Sequence, residues 1–143
     1  IITACVYFIL WLGAWDQLLG NYNGICIMSL GFMMSRCLSG IGVITFPKAR
    51  TDGTVAEFSR NASEIAVRNV LITMFVILAA LMIWVDPVLG VLAAVSALLV
   101  FWWYHYMALK YFGGTTGDLS GFFLCICEVV MALVLAFGGT FNL

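Results

Sequence analysis

Long runs of apolar residues separated by short polar stretches dominate this chain. A helix needs about 20 apolar residues to cross the hydrocarbon core of a bilayer, and several of the runs reach that length. We therefore predict an all-α fold, a polytopic bundle of about five transmembrane helices in one domain that covers residues 1–143. The predicted spans are 1–15, 25–46, 66–85, 88–109 and 119–139. Because the first span is short, we interpret it as the end of a longer helix in a protein with further sequence before Ile1.

Composition supports the membrane assignment. Of the 143 residues, 64% are hydrophobic and 9% are charged, whereas a soluble domain is about half apolar and about a quarter charged. A formal net charge of -1 provides no basic surface for nucleic acid. We interpret the five cysteines, which all lie in apolar runs, as packing residues.

The distribution of basic residues predicts how the helices are oriented. The hydrophilic stretch 47–68 holds four Lys and Arg residues, segment 110–118 holds one, and the other two connections hold none. By the positive-inside rule, loops 47–65 and 110–118 are then cytoplasmic. We also expect an interfacial aromatic belt near the end of the fourth span, formed by Trp102, Trp103, Tyr104 and Tyr106.

A glycine-rich segment, Gly-Gly-Thr-Thr-Gly-Asp, precedes the last predicted helix. Backbone amides and two hydroxyls would converge there beside the positive end of a helix dipole, which suits phosphate oxygens. We expect Asp118 to cap the helix, and its carboxylate is a candidate ligand for Mg²⁺. The alternative is an ordinary helix cap with glycine turns. The predicted phosphate-binding residues of this segment are Gly113, Gly114, Thr115, Thr116 and Gly117.

Two opposite charges lie deep within predicted spans. Glu128 is ten residues beyond Asp118, and Arg36 is ten residues before Phe46, so both lie about 15 Å from the same membrane surface. Charges at this depth are costly unless they are paired or line a wet cavity. We predict that Arg36 and Glu128 meet, and we select them with Asp118 as candidate catalytic residues. The alternative is a purely structural bridge between helices.

The hydrophilic stretch begins with a second candidate for phosphate binding. Pro47 ends the second span, and Lys48 and Arg50 follow at alternate positions. Arg can bind a phosphate through two parallel hydrogen bonds. Asp52 is a second candidate Mg²⁺ ligand. The alternative is that these cations only fix the orientation of the span.

These motifs, taken together, resemble the carboxyl-terminal part of the cobalamin synthase family, the adenosylcobinamide-GDP ribazoletransferases. The resemblance covers essentially the whole chain but only about half of the family's sequence, and the family's upstream aspartate-glycine motif is absent. Cys125 stands where family members often carry another acidic residue. The residues that carry the resemblance are 113–118 with Gly121 and Glu128, Ser35 with Arg36, and Pro47, Ala49, Arg50, Asp52 and Gly53.

The resemblance implies an enzyme of the bacterial or archaeal cytoplasmic membrane. It would join α-ribazole, or its 5′-phosphate, to adenosylcobinamide-GDP and release GMP, the final nucleotide-loop assembly step of cobalamin biosynthesis, with Mg²⁺ as the cofactor. Its expected partners are these two substrates, the lipid bilayer, the missing amino-terminal segment and, as an open alternative, a second copy of the chain. We expect the chain alone to be inactive.

Two other functions stay open. A transporter fragment could use the mid-membrane Arg36 and Glu128 as part of an ion or substrate pathway. A CDP-alcohol phosphotransferase would also use Mg²⁺ and membrane-embedded carboxylates, but its aspartate-rich helix motif does not occur in this sequence.

Overall fold

The protein is a helix bundle, seen in a computed structural model that describes residues 2–47 and 64–140. Within these ranges the structure contains no β-strand, so the all-α prediction is confirmed. Four helices are long and apolar enough to cross a membrane, and α1, with 17 residues, is shorter. The helices are α1 (Ile2–Leu18), α2 (Tyr22–Thr45), α3 (Glu64–Val85), α4 (Pro87–Phe112) and α5 (Gly117–Thr140).

The connection between α1 and α2 is tighter than the predicted polar turn at 16–24. Helix α1 continues to Leu18 and α2 begins at Tyr22, which leaves residues 19–21 between them. The side chain of Asn21 caps α2, because its Oδ1 accepts a hydrogen bond from the amide of Gly24 at 3.2 Å. Capping satisfies an amide that would otherwise lack a partner, so the helix can begin close to the turn.

The turn between α3 and α4 lies between the spans predicted at 66–85 and 88–109. Asp86 accepts hydrogen bonds from the amides of Val88 and Leu89, each at 3.1 Å, and Pro87 opens the helix. A Cβ atom on Gly90 would lie 2.4 Å from the carbonyl oxygen of Met82. Only glycine therefore allows α3 and α4 to approach this closely after the turn.

Helix α4 extends further than the predicted span, so the connection placed at 110–118 is shorter in the structure. The helix ends at Phe112 because Gly113 adopts a φ of 66°, in the left-handed region. Since α5 begins at Gly117, only residues 113–116 connect the two helices.

Helix α2 lies at the centre of the bundle, in contact with α3, α4 and α5. Small residues on one face of the helix allow close contact with its neighbours. A Cβ on Gly31 would lie 3.4 Å from Met131 of α5, and one on Gly42 would lie 3.2 Å from the ring of Tyr104 of α4. Close contact along this face brings the polar residues between Gly31 and Gly42 against α5.

Candidate functional site

Three helix ends meet at one end of the bundle, which we call the loop end. There the amide of Thr115, in the connection between α4 and α5, donates a hydrogen bond of 2.8 Å to the carbonyl of Pro47, just after α2. Pro47 is the last described residue before Lys48, Arg50 and Asp52, which lie outside the described residues. The hydrophilic stretch therefore leaves α2 directly beside the glycine-rich segment.

The two glycines of the Gly113-Gly114 pair turn the chain out of α4. Their φ angles are 66° and 153°, values that L residues with a side chain rarely adopt. Both amides donate to the carbonyl of Ala108. The pair thus ends α4 and satisfies a carbonyl at the end of the helix.

Thr115 is held inside the protein. Its side chain is 2% exposed, its Oγ1 lies 2.5 Å from the hydroxyl oxygen of Tyr104, and its amide is bonded to Pro47. Phosphate binding by Thr115 stays a prediction, but the hydroxyl and the amide are both engaged within the protein in this structure.

Thr116 caps α5, and the expectation that Asp118 does so was wrong. The Oγ1 atom of Thr116 accepts a hydrogen bond from the amide of Leu119 at 3.3 Å. The helix begins at Gly117, two residues earlier than predicted, so Asp118 lies inside the first turn. Amides in the first turn of a helix have no partner within it, and with the helix dipole they favour an anion at this point.

The side chain of Asp118 is exposed and opens onto a groove of about 510 Å³ at the loop end. Among the described residues, Asp118 is the only acidic or basic residue in the lining, and the remaining lining residues are Met107, Phe112, Thr116, Leu119 and Phe122. A ligand that enters the groove can therefore reach this carboxylate.

Arg36 and Glu128 form an ion pair, as predicted. The Nη1 atom of Arg36 donates to Oε1 of Glu128 at 2.9 Å and to the carbonyl of Phe32 at 3.0 Å. Buried Ser35 lies next to the pair, with its hydroxyl 3.3 Å from the same Glu128 oxygen. The Arg36 side chain is 63% exposed and that of Glu128 only 12%. The carboxylate is therefore enclosed, while much of the guanidinium is open to its surroundings.

Four residues on one side of α5 form a strip that leads from the loop end towards this ion pair. Asp118, Gly121 and Cys125 are all exposed, and half-buried Glu128 follows. Asp118 and Glu128 are nevertheless ten residues apart on one helix, which corresponds to about 15 Å. The structure brings Arg36 to Glu128 but does not bring either of them to Asp118.

The described part of the chain contains no group of three or more His, Cys, Asp or Glu residues that could hold a metal ion. Mg²⁺ is usually bound by one or two carboxylates together with substrate phosphates and water. An accessible carboxylate in the first turn of a helix, as at Asp118, fits one part of such a site. The other candidate ligand, Asp52, lies outside the described residues.

The importance of Tyr104 was not recognised from the sequence. We expected it in an interfacial aromatic belt, but it is fully buried, whereas Trp102, Trp103 and Tyr106 are exposed. Its spacing along the helix could have revealed its burial, because Tyr104 continues the series of mostly small residues that forms the buried face of α4. The other members of that face include Ala93, Ala97, Val100 and Ala108.

Comparison with known proteins gives a consistent result. Residues 1–136 match the family described as cobalamin-5-phosphate synthase. The chain is 39% identical over 140 residues to an adenosylcobinamide-GDP ribazoletransferase of Lachnoclostridium phytofermentans. This alignment covers 96% of the chain and 53% of the relative, so the chain spans about half the length of the curated relative it matches. No solved structure matches the chain significantly.

Proposed function

This chain belongs to the cobalamin-5-phosphate synthase family, and we propose that it forms the carboxyl-terminal half of an adenosylcobinamide-GDP ribazoletransferase. The hydroxyl oxygen of α-ribazole, or of its 5′-phosphate, forms a bond to the cobinamide-side phosphorus of adenosylcobinamide-GDP. The bond from that phosphorus to the bridging oxygen breaks, GMP leaves, and the attacking hydroxyl loses its proton. Because the relative is about twice as long as the chain, we assign the activity to the longer protein.

The observation that carries this proposal is the contact between Thr115 and Pro47. It joins the start of the segment that holds Lys48 and Arg50 to the amino-terminal end of α5. A reaction at a pyrophosphate needs cations and fixed hydrogen-bond donors to stabilise developing negative charge. Both kinds of group originate at the same place in this chain.

We propose that Asp118 holds Mg²⁺, together with Asp52 and with acidic residues from the other half of the protein. The ion, when bound, would neutralise charge on the pyrophosphate oxygens. Asp118 suits this role because its carboxylate is exposed beside the groove and the first-turn amides of α5.

We further propose that Arg36 and Glu128 form the inner part of the same site. Glu128 holds one edge of the Arg36 guanidinium in place, and the exposed remainder offers hydrogen-bond donors to an anionic group. The strip through Gly121 and Cys125 connects this pair to Asp118. Substrate binding along the strip would allow residues about 15 Å apart to contact one extended ligand.

The transporter interpretation rests on the same ion pair, since a mid-membrane Arg and Glu also occur on substrate pathways. Family membership favours the enzyme. It also favours a ribazoletransferase over a CDP-alcohol phosphotransferase. The protein has several apolar helices of spanning length, and we propose that its loop end faces the cytoplasm of a bacterium or archaeon, because the basic residues cluster there.

The test uses the full-length protein that contains this chain, purified in detergent and supplied with adenosylcobinamide-GDP, α-ribazole and Mg²⁺. We expect formation of the cobalamin product with release of one GMP per turnover, and abolition of transfer by Asp118→Asn. The matched control is Asp86→Asn, which retains a capping side chain at the opposite end of the bundle.

Failure of the wild-type protein to form product would contradict the proposed function. Near-normal turnover of Asp118→Asn at limiting Mg²⁺ would leave the function intact and remove Asp118 from the metal site.

A further inference from the structure

Tyr104 is enclosed by three other parts of the bundle at the loop end. Its ring stacks on Phe123 of α5 with centroids 4.8 Å apart and lies 5.6 Å from the ring of Phe46, just after α2. It also packs against the backbone of Gly42, where a Cβ would lie 3.2 Å from the ring. The direction in which the hydroxyl points is therefore set by packing against α2 and α5.

The Tyr104 hydroxyl contacts the glycine-rich segment on its buried side. It lies 2.5 Å from Oγ1 of Thr115, and both residues are buried. The amide of Thr115 in turn donates a hydrogen bond of 2.8 Å to the carbonyl of Pro47. One continuous path thus runs from the Tyr104 ring through Thr115 to the residue at which the Lys48 and Arg50 segment begins.

The ends of the neighbouring helices do not need this path. Gly113 ends α4 with its own backbone bond to Ala108, and Thr116 caps α5. The bond between Tyr104 and Thr115 therefore adds something different, because it fixes where the connection lies relative to α2. A buried hydroxyl without a hydrogen-bond partner is unfavourable, because its desolvation is not compensated. Movement of the connection away from Tyr104 would break this bond, so the bond favours one position of the connection.

We propose that Tyr104 is a positioning residue for the phosphate site, and that Thr115 is its tether rather than a phosphate ligand. The inference rests on the proposed function, which supplies the phosphate groups to be bound. Tyr104 touches no substrate, since it is fully buried. It acts by holding the first turn of α5 and Pro47, the residue before Lys48, at fixed positions relative to each other.

The experiment compares Tyr104→Phe, Thr115→Val and Thr115→Ser in the full-length protein. Phe and Val keep the approximate shape of the side chain and remove the hydroxyl, whereas Ser keeps the hydroxyl. We expect Tyr104→Phe and Thr115→Val each to raise the KM for adenosylcobinamide-GDP roughly 3- to 10-fold, the effect of losing one hydrogen bond. Thr115→Ser should stay near wild type, and the double variant Tyr104→Phe with Thr115→Val should be no worse than either single variant.

The matched control is Tyr106→Phe. Tyr106 is an exposed tyrosine two positions away on the same helix, and its hydroxyl contacts only Lys110 among the described residues. Its variant should keep the wild-type KM. A loss of stability alone would lower the thermal midpoint of Tyr104→Phe without changing the KM well below that midpoint.

A second readout does not depend on activity. Hydrogen exchange of the amides at 113–118 should be faster in Tyr104→Phe and Thr115→Val than in wild type or Tyr106→Phe. Unchanged exchange in Tyr104→Phe and Thr115→Val would show that the bond between these two residues does not hold the connection in place. Faster exchange in these variants with an unchanged KM would contradict the positioning role. An equal increase of the KM in Tyr106→Phe would contradict it as well. An inactive wild-type protein would instead contradict the proposed function, and the exchange data would still test the tether.

Discussion

The structure contains two polar clusters that differ in charge and enclosure. The tether cluster, formed by Tyr104, Thr115 and Pro47, is neutral, and the hydroxyls of Tyr104 and Thr115 are buried. The ion pair of Arg36 and Glu128 is charged, and the Arg36 side chain is 63% exposed. Both clusters connect α2 to later parts of the chain, but only the ion pair has donors left over for another molecule.

This difference separates groups that are engaged within the protein from groups that are open to their surroundings. The polar atoms of the tether cluster are engaged with each other, so it holds a loop and contributes no contact to a ligand. The guanidinium of Arg36 uses Nη1 for both of its recorded bonds, and an Arg side chain has five N–H donors. Removing the tether cluster should therefore have different consequences from removing the ion pair.

The largest expected effect is the loss of one partner of the ion pair. Glu128→Leu leaves the Arg36 guanidinium without its carboxylate in the middle of a membrane span, which costs about 2.5–3.5 kcal/mol. The double variant Arg36→Leu with Glu128→Leu should lose less than Glu128→Leu alone, because no uncompensated charge is left. Unfolding of Glu128→Leu, Arg36→Leu and the double variant in mixed detergent micelles gives the free energies. A loss in the double variant equal to the sum of the two single losses would show that the two residues do not stabilise each other.

A smaller effect is expected where α2 packs against the tether cluster. A Cβ on Gly42 would lie 3.2 to 3.5 Å from the rings of Tyr104, Phe46 and Phe101. Gly42→Leu should therefore destabilise the bundle by about 1–3 kcal/mol through overpacking and should increase hydrogen exchange at 113–118. The control is Gly13→Leu on α1, where a Cβ meets nothing within 4 Å. Equal losses in the two variants would contradict the packing explanation.

The smallest effect concerns the backbone that leads into the tether cluster. Gly113 has a φ of 66°, and an alanine in this region costs about 1–2 kcal/mol. Gly121 lies within α5 with open space around it, so Gly121→Ala should gain about 1 kcal/mol from helix propensity. Thermal unfolding of the two variants should therefore move in opposite directions. A stabilising Gly113→Ala would indicate that this glycine is not required to end α4.

The outer face of α3 shows why the exposed position of Arg36 is unusual. Only 11% of the apolar 18-residue segment of α3 is buried within the protein, against 56% for the corresponding segment of α2. From Met74 to Val85 the large exposed side chains of α3 are all apolar and suit contact with lipid, whereas exposed Arg68 and Asn69 lie nearer its amino-terminal end. These apolar side chains are Met74, Val76, Ile77, Leu81, Ile83, Trp84 and Val85. An exposed guanidinium such as that of Arg36 does not suit contact with lipid, which agrees with our proposal that Arg36 faces a ligand-binding strip.

Much of the fold was accessible from the amino-acid sequence. The helices lie within about three residues of the spans predicted from runs of apolar residues, because a bilayer requires helices of about 20 such residues. The pairing of Arg36 with Glu128 followed from equal depth, since unpaired charges in lipid are costly. The family resemblance, carried by the glycine-rich segment and the residues around Arg36 and Pro47, was confirmed by comparison.

The candidate site was only partly accessible in this way. Asp118 was expected to cap α5, but Thr116 does so, because the helix begins two residues earlier than the apolar run. Tyr104 was expected at the membrane interface because aromatic residues near the end of a span usually lie there. The predicted roles of Lys48, Arg50 and Asp52 concern residues outside the described part of the chain.

The sequence by itself predicted the positions and approximate ends of the helices in the described part of the chain, because these depend on local hydrophobicity and on the length of a helical residue. Only the tertiary structure decided which hydroxyls are engaged within the protein and which groups are open to a ligand. That distinction depends on contacts between residues far apart in the chain, such as Thr115 with Pro47 and Ser39 with Ser120. Such contacts arise from the packing of small residues between helices, and spacing along one helix cannot specify the partner on another.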